Sequence, residues 1–97
     1  MNGFYLVGRI MEVPDKSETS SGLPMCRLKV GVNRTYKDGE DDVDVFDVVL
    51  FRSLAQGNYA AGQSVAINGK IQANNFDKEG TVYYHANLIG NSITVIS

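Results

Sequence analysis

The segment from Gly62 to Phe76, GQSVAINGKIQANNF, changes chemistry at every second residue, and this period constrains the fold more than any other feature of the chain. One parity is aliphatic and consists of Val65, Ile67, Ile71 and Ala73. Because successive side chains of a strand point to opposite faces, the period predicts a strand that buries this aliphatic row.

The opposite face of this predicted strand is polar apart from one ring. It carries Asn68, Lys70, Gln72, Asn74 and Phe76. A lysine can lie near a phosphate, amides can reach phosphates or base edges, and an aromatic ring can stack on a base. This face is therefore typical of a surface that contacts a single-stranded nucleic acid.

Composition limits the class of protein. The 97 residues fit one small domain, residues 1–97, and 43% hydrophobic residues suffice for a single core. A formal charge of −2 disfavours a protein that holds duplex DNA mainly by electrostatics, since such domains are usually basic. A single cysteine, Cys26, fits a reducing cytoplasm, and we find neither a signal-peptide pattern nor an apolar run of about 20 residues, so we expect a cytoplasmic protein.

Short alternating segments separated by turn residues predict an all-β fold. Besides the strand described above, we expect strands at Phe4–Ile10, from Cys26 to Val32, at Val43–Arg52 and at Thr81–Ile89, with Cys26, Leu28, Val30 and Val32 as an inward row. Asp15–Pro24 is expected to be a mobile loop, Lys37–Asp44 a solvated turn and Leu54–Ala61 a short helix. Five strands with one short helix between strands three and four fit a five-stranded Greek-key barrel, the OB-fold.

Catalytic and metal-binding patterns are missing from the sequence. It contains no nucleophile–base pair, no phosphate-cradling glycine loop and no zinc-ligand spacing, so we expect neither an enzyme nor a cofactor. His85 has no nearby partner in sequence, and a polar surface residue is the better interpretation. The acidic residues within Lys37–Asp44 lack the spacing of a calcium loop.

The order and spacing of four segments carry a resemblance to a known family. The segments are FYLVGRI, CRLKVGVNRTYKD, VVLFRSLA and GQSVAINGKIQANNF, and together they cover nearly the whole chain. They resemble the DNA-binding domain of bacterial and phage single-stranded DNA-binding proteins (SSBs). The resemblance implies an OB-fold, sequence-independent binding and protection of single-stranded DNA in replication, recombination or repair, and a homotetramer.

By that resemblance, three aromatic residues occupy positions where the family stacks bases: Tyr36, Phe51 and Phe76. Two of them also have a structural alternative. Tyr36 could cover the end of the barrel, and Phe51 could belong to the core, as both faces of its strand are apolar. Tyr83 and Tyr84 point to opposite faces, so one of the two is expected in the core.

The polar contacts predicted around these rings come from four cations and two amides: Arg34, Lys70, Lys37, Arg52, Gln72 and Asn74. Arg34 and Lys70 correspond to cations that face the nucleic-acid backbone in the resembling family. Arg52 could also be an ordinary solvated charge, the default for a surface arginine.

Several departures from the family pattern qualify these expectations. Val45 stands where many relatives carry a ring, and Asp47 would repel a phosphate unless it is paired. The chain as given stops at Ser97 without the flexible linker and acidic tip that many relatives use, so we expect no tail-mediated recruitment of proteins.

One alternative function follows from the negative charge and from Val45: an OB-fold protein-interaction module of a replication or mobilisation complex, with weak or no DNA binding. The first strand is apolar on both faces, with Tyr5 and Val7 on one and Leu6 and Ile10 on the other. We expect this strand to form the contact between copies of the chain.

Overall fold

A computed structural model describes residues 1–35 and 41–97, except for the side chains of residues 35, 41, 74 and 84. It contains six strands, which are β1 (Phe4–Ile10), β2 (Asp15–Glu18), β3 (Pro24–Thr35), β4 (Asp41–Phe51), β5 (Ser64–Lys78) and β6 (Thr81–Val95). A 3-10 helix at Arg52–Gln56 is the one helical element within the described ranges, and it is too short to cross a membrane.

Five of the strands close into a barrel. Their order is β1–β5–β6–β4–β3, and β3 returns to pair with β1, while β2 lies on the other side of β3. The pairs are antiparallel apart from β4 with β6, which run parallel. Two of the pairings that close the barrel contain only two residue pairs each. β1 meets β3 at Arg9–Gly31 and Ile10–Val30, and β4 meets β6 at Val48–Leu88 and Val49–Ile89. The predicted five-stranded OB-fold barrel is confirmed.

The core is almost entirely aliphatic, as the alternation of the strands predicts. Its buried members are Ile10, Cys26, Leu28, Val30, Val48, Leu50, Ala55, Val65 and Ile67. The predicted inward row of the second barrel strand is confirmed for its first three residues, while Val32 is only half-buried. Burial raises the pKa of the Cys26 thiol, which behaves as a small core hydrophobe.

The segment from Asp15 to Glu18 is a strand, so the prediction of a loop throughout Asp15–Pro24 is wrong there. β2 pairs antiparallel with β3, with Lys16 opposite Cys26. All four of its side chains are exposed, which polar residues tolerate in an edge strand. The Lys16 Nζ also donates a hydrogen bond of 2.9 Å to the Gly57 carbonyl and ties β2 to the loop after the 3-10 helix.

The predicted helix at Leu54–Ala61 is also wrong in its extent. The helical turn begins at Arg52 and ends at Gln56, because Gly57 takes an extended conformation with φ −66° and ψ 157°. The Tyr59 hydroxyl then donates a 2.7 Å hydrogen bond to the Leu54 carbonyl. That contact occupies the acceptor that a continuing α-helix would give to a backbone N–H.

β5 and β6 continue past the barrel as a two-stranded arm, residues 72–87. β1 pairs with β5 only as far as Phe4 opposite Gly69, and β4 meets β6 only at two positions. Within the arm the two strands pair with each other up to Lys78 opposite Thr81. Glu79 and Gly80 form the connecting turn with φ values of 52° and 80°, as a tight two-residue hairpin turn requires.

The arm limits how much of the aliphatic row of β5 is buried. Val65 and Ile67 are fully buried, but Ile71 is 36% exposed and Ala73 is exposed as well. The prediction that the whole row is buried is therefore wrong beyond Gly69. At this position the pairing with β6 shifts register by one residue, and a Cβ atom on Gly69 would collide with the Ile89 carbonyl oxygen.

Candidate nucleic-acid interface

The outward-pointing residues of four neighbouring strands form one continuous surface, hereafter the outer face. Strand register connects its rows: Phe51 lies opposite Met25, Val49 lies beside Ile89, and Ile89 lies opposite Lys70. The described members of the outer face are Met25, Arg27 and Lys29 of β3, Val45, Asp47, Val49 and Phe51 of β4, Lys70, Gln72 and Phe76 of β5, and Tyr83, His85, Asn87 and Ile89 of β6.

Phe51 borders a shallow groove at the barrel end of the outer face. The groove has a volume of about 300 Å³, and Phe51 lines it together with Arg27 and Gln72. Phe51 itself is half-buried, so part of its ring remains available to a ligand. The structure thus brings together two predicted site residues, Phe51 and Gln72, and adds Arg27, which was not among the predicted site residues.

Phe76 belongs to an aromatic cluster on the arm. Its ring stacks on that of Tyr83 with centroids 5.2 Å apart and an interplanar angle of 19°. It also stacks on the His85 imidazole at 5.4 Å and 2°. Phe76 and Tyr83 are each 43% exposed, so Tyr83 is not a core residue. Its neighbour Tyr84 has a side chain outside the described set, and the expectation that one of the two tyrosines is buried stays a prediction.

A cleft opens beyond Val49 and Ile89, where β4 and β6 separate. It has a volume of about 440 Å³. Arg27 and Asp47 line it from one side and His85 and Asn87 from the other. The Asp47 carboxylate lies 3.1 Å from the Lys29 Nζ, so the paired state that sequence reasoning required of Asp47 is present.

The three predicted cations that the structure describes lie in three different parts of the protein. Lys70 is exposed on the outer face opposite Ile89. Arg34 lies on β3 with the parity of the buried row, and its Nε is 2.9 Å from a carboxylate oxygen of Asp44. Arg52 is exposed at the first residue of the 3-10 helix, with a φ of 61°. Among the three, the structure brings only Lys70 into the row of Gln72 and Phe76.

For three other predicted site residues the structure describes no side chain. Tyr36 and Lys37 lie outside the described residues. The backbone of Asn74 lies opposite His85, whereas its side chain is outside the description. Their roles in binding stay predictions.

Two outer-face residues, Tyr83 and His85, were missed as site residues. Their parity along β6 was readable, but their contact with Phe76 depends on the register of the hairpin, which the sequence leaves uncertain by one or two residues. In the described part of the chain, no cluster of three or more His, Cys, Asp or Glu side chains is arranged to hold a metal ion. The chemistry of this surface is that of rings, amides and separated cations.

The chain is similar to known proteins over nearly its whole length. The model of the Single-strand binding protein family matches residues 1–96. The Single-stranded DNA-binding protein 1 of Streptococcus pyogenes is 29% identical over 100 residues, which are 98% of this chain and 76% of that protein. The Single-stranded DNA-binding protein of Staphylococcus aureus strain N315 is 31% identical over 99 residues, which are 96% of this chain and 64% of that protein.

A solved structure supports the fold. The crystal structure of a deletion mutant of the single-stranded DNA binding protein from Thermus aquaticus superposes with a TM-score of 0.77 at 20% identity. The match covers all of this chain and 51% of the Thermus chain.

Proposed function

Because the chain belongs to the single-strand binding protein family, we propose that it binds single-stranded DNA without strong sequence preference and protects it in replication, recombination or repair. The outer face is the observation that carries this proposal. Its exposed rings, amides and separated cations suit unpaired bases and a phosphate backbone. The protein acts by binding and not by catalysis.

An unpaired strand would cross the outer face from the groove at Phe51 to the arm. Lys70 and Phe76 are six residues apart on β5, a distance of about 20 Å along a strand, so they contact different nucleotides. Bases would stack on Phe51 and Phe76 at about 1 to 3 kcal/mol each, while Lys70 lies near a phosphate. The described elements include no basic α-helix that could enter the major groove of duplex DNA. We therefore expect the face to prefer single strands over duplex.

Assembly of several copies would raise the affinity. We propose a cytoplasmic homotetramer in which β1 forms a contact between copies. Tyr5 and Val7 of β1 are 68% and 51% exposed, and β1 pairs with β3 only through Arg9 and Ile10. Linked subunits would bind successive stretches of one strand at high effective concentration.

One observation favours a second candidate, a protein-interaction module. Val45 is 52% exposed on the outer face and offers an apolar side chain without a ring to stack on a base. A partner protein could cover it together with the neighbouring cleft, and the net charge of −2 would weaken binding to DNA.

A titration separates the two candidates. Oligo-dT of about 30 nucleotides should quench tyrosine fluorescence and bind much more tightly than a duplex of the same length. The duplex is the control for purely electrostatic attraction. Equal affinity for both forms would contradict the proposal, and no binding to either would favour the interaction module.

A further inference from the structure

His85 is the only histidine of the chain, and it lies where two features of the outer face meet. Its imidazole stacks on Phe76 almost in parallel, and it also lines the cleft between β4 and β6. A nucleic-acid strand that stacks a base on Phe76 and continues toward the barrel would therefore pass directly beside the imidazole.

We propose that His85 is a phosphate-contacting residue that makes binding of single-stranded DNA depend on pH. In its imidazolium form the side chain supplies one additional cation next to the Phe76 ring. This inference rests on the proposed function and extends it to the regulation of the same surface.

The stacking geometry leaves the charged part of His85 accessible. Contact with Phe76 uses the flat face of the imidazole, whereas both nitrogens lie at the edge of the ring. The side chain is exposed, so a phosphate can approach that edge. Histidine is the side chain that most readily gains a positive charge within the physiological pH range.

Few charged groups face His85 from the elements around it. Arg27 of β3 and Asp47 of β4 line the same cleft as His85, and Asp47 is already paired with Lys29 at 3.1 Å. On β5, Lys70 is the cation of the outer face, and Lys78 lies on the same parity at the tip of the arm. With a formal charge of −2 when His85 is neutral, protonation changes the net charge from −2 to −2 + 1 = −1. One more positive charge is a large relative change on such a surface.

The size of the effect follows from counterion release. One additional phosphate contact on a single strand steepens the slope of log affinity against log salt by about 0.7. At about 0.1 M salt this corresponds to roughly fivefold tighter binding. The wild-type protein should therefore bind oligo-dT about fivefold more tightly at about pH 5.5 than at about pH 8.0, with a steeper salt slope.

Three variants test the assignment on the full chain. His85→Gln should bind oligo-dT equally at both pH values, with the affinity that the wild-type protein has at about pH 8.0. His85→Arg carries a fixed cation and should bind at both with the wild-type affinity of pH 5.5. Lys16→Gln, a loss of charge on the exposed strand β2 away from the outer face, should keep the wild-type pH response. Thermal unfolding at both pH values verifies that each variant is folded.

The outcomes are distinguishable. A pH response that persists in His85→Gln would overturn the inference, since it would arise from another group. Equal wild-type affinity and salt slope at both pH values would overturn it as well, while leaving the proposed function intact. Absence of binding at either pH would contradict the proposed function itself.

Discussion

Phe76 illustrates how a single residue on this surface combines exposure with support. Its ring is 43% exposed, yet it stacks against both Tyr83 and His85. Such neighbours hold the ring in one orientation before a base arrives, which lowers the entropy lost on binding. Lys70, in the same row, acts through charge and needs no comparable support.

Substitutions of these two residues should differ in kind. Phe76→Ala should weaken binding of oligo-dT by about 1 to 3 kcal/mol and leave the salt dependence nearly unchanged, since a base platform is lost. Lys70→Ala should lower the slope of log affinity against log salt by about 0.7, the value for one phosphate contact on a single strand. Titrations at several salt concentrations measure both quantities.

Folding is the control for this comparison. Both side chains are exposed, so both variants should keep nearly wild-type thermal stability. Truncation of a core phenylalanine would instead cost about 3 to 5 kcal/mol. Undiminished affinity in a well-folded Phe76→Ala protein would remove Phe76 from the binding surface.

The position of Phe76 could be predicted from sequence, whereas its partners could not. Its row-mates Lys70 and Gln72 are polar, which places the row on an exposed face. The stacking on Tyr83 requires the two-residue turn at Glu79 and Gly80, and the sequence DKEG is equally compatible with a turn of another length. A shift of one residue would have brought Tyr84 to the face of Phe76 instead.

At the scale of elements, β5 shows that alternation indicates the faces of a strand but not what covers them. The same parity continues from Val65 to Ala73, yet β1 pairs with β5 only as far as Gly69, so the barrel beside β5 ends there. The length of β1 is therefore the feature that turns a buried row into an exposed one. The OB barrel was predictable because five alternating segments occur in order, but the arm depends on the unequal lengths of neighbouring strands.

Two isoleucines of β5 provide a matched test of this boundary. Ile67→Ala should lower the free energy of unfolding by about 2 to 5 kcal/mol, because the side chain is fully buried. Ile71→Ala, with the same change on the same strand face, should cost less than about 1.5 kcal/mol. Denaturant unfolding measures both values. Equal losses would mean that Ile71 is covered, for example by another copy of the chain.

At the scale of the whole molecule, the outward side of β1 and its surroundings expose a group of apolar side chains. Tyr5 and Val7 project from it, and nearby Met11 and Val43 are also exposed. Val7, Met11 and Val43 line a further shallow groove together with Gly8 and Gly31. Contact between copies would cover this surface.

Light scattering tests the assembly. The wild-type protein should have a mass of about 42 kDa, four times 10.6 kDa, at micromolar concentration. Val7→Glu places a charge in the proposed contact and should lower that mass. Val13→Glu, the same substitution at an exposed residue outside β1, should leave it unchanged. A wild-type mass of one chain would rule out a homo-oligomer.

The two short contacts that close the barrel also have a consequence for the order of folding. β3 with β4 and β5 with β6 are long antiparallel hairpins whose partners are near in sequence, so each can form early. Joining them requires β1 to reach β3 and β4 to reach β6, through only two residue pairs each. Forming these pairings between segments far apart in sequence costs loop-closure entropy, and each pairing gains only a few backbone hydrogen bonds in return. We therefore expect barrel closure to be the late, rate-limiting step of folding.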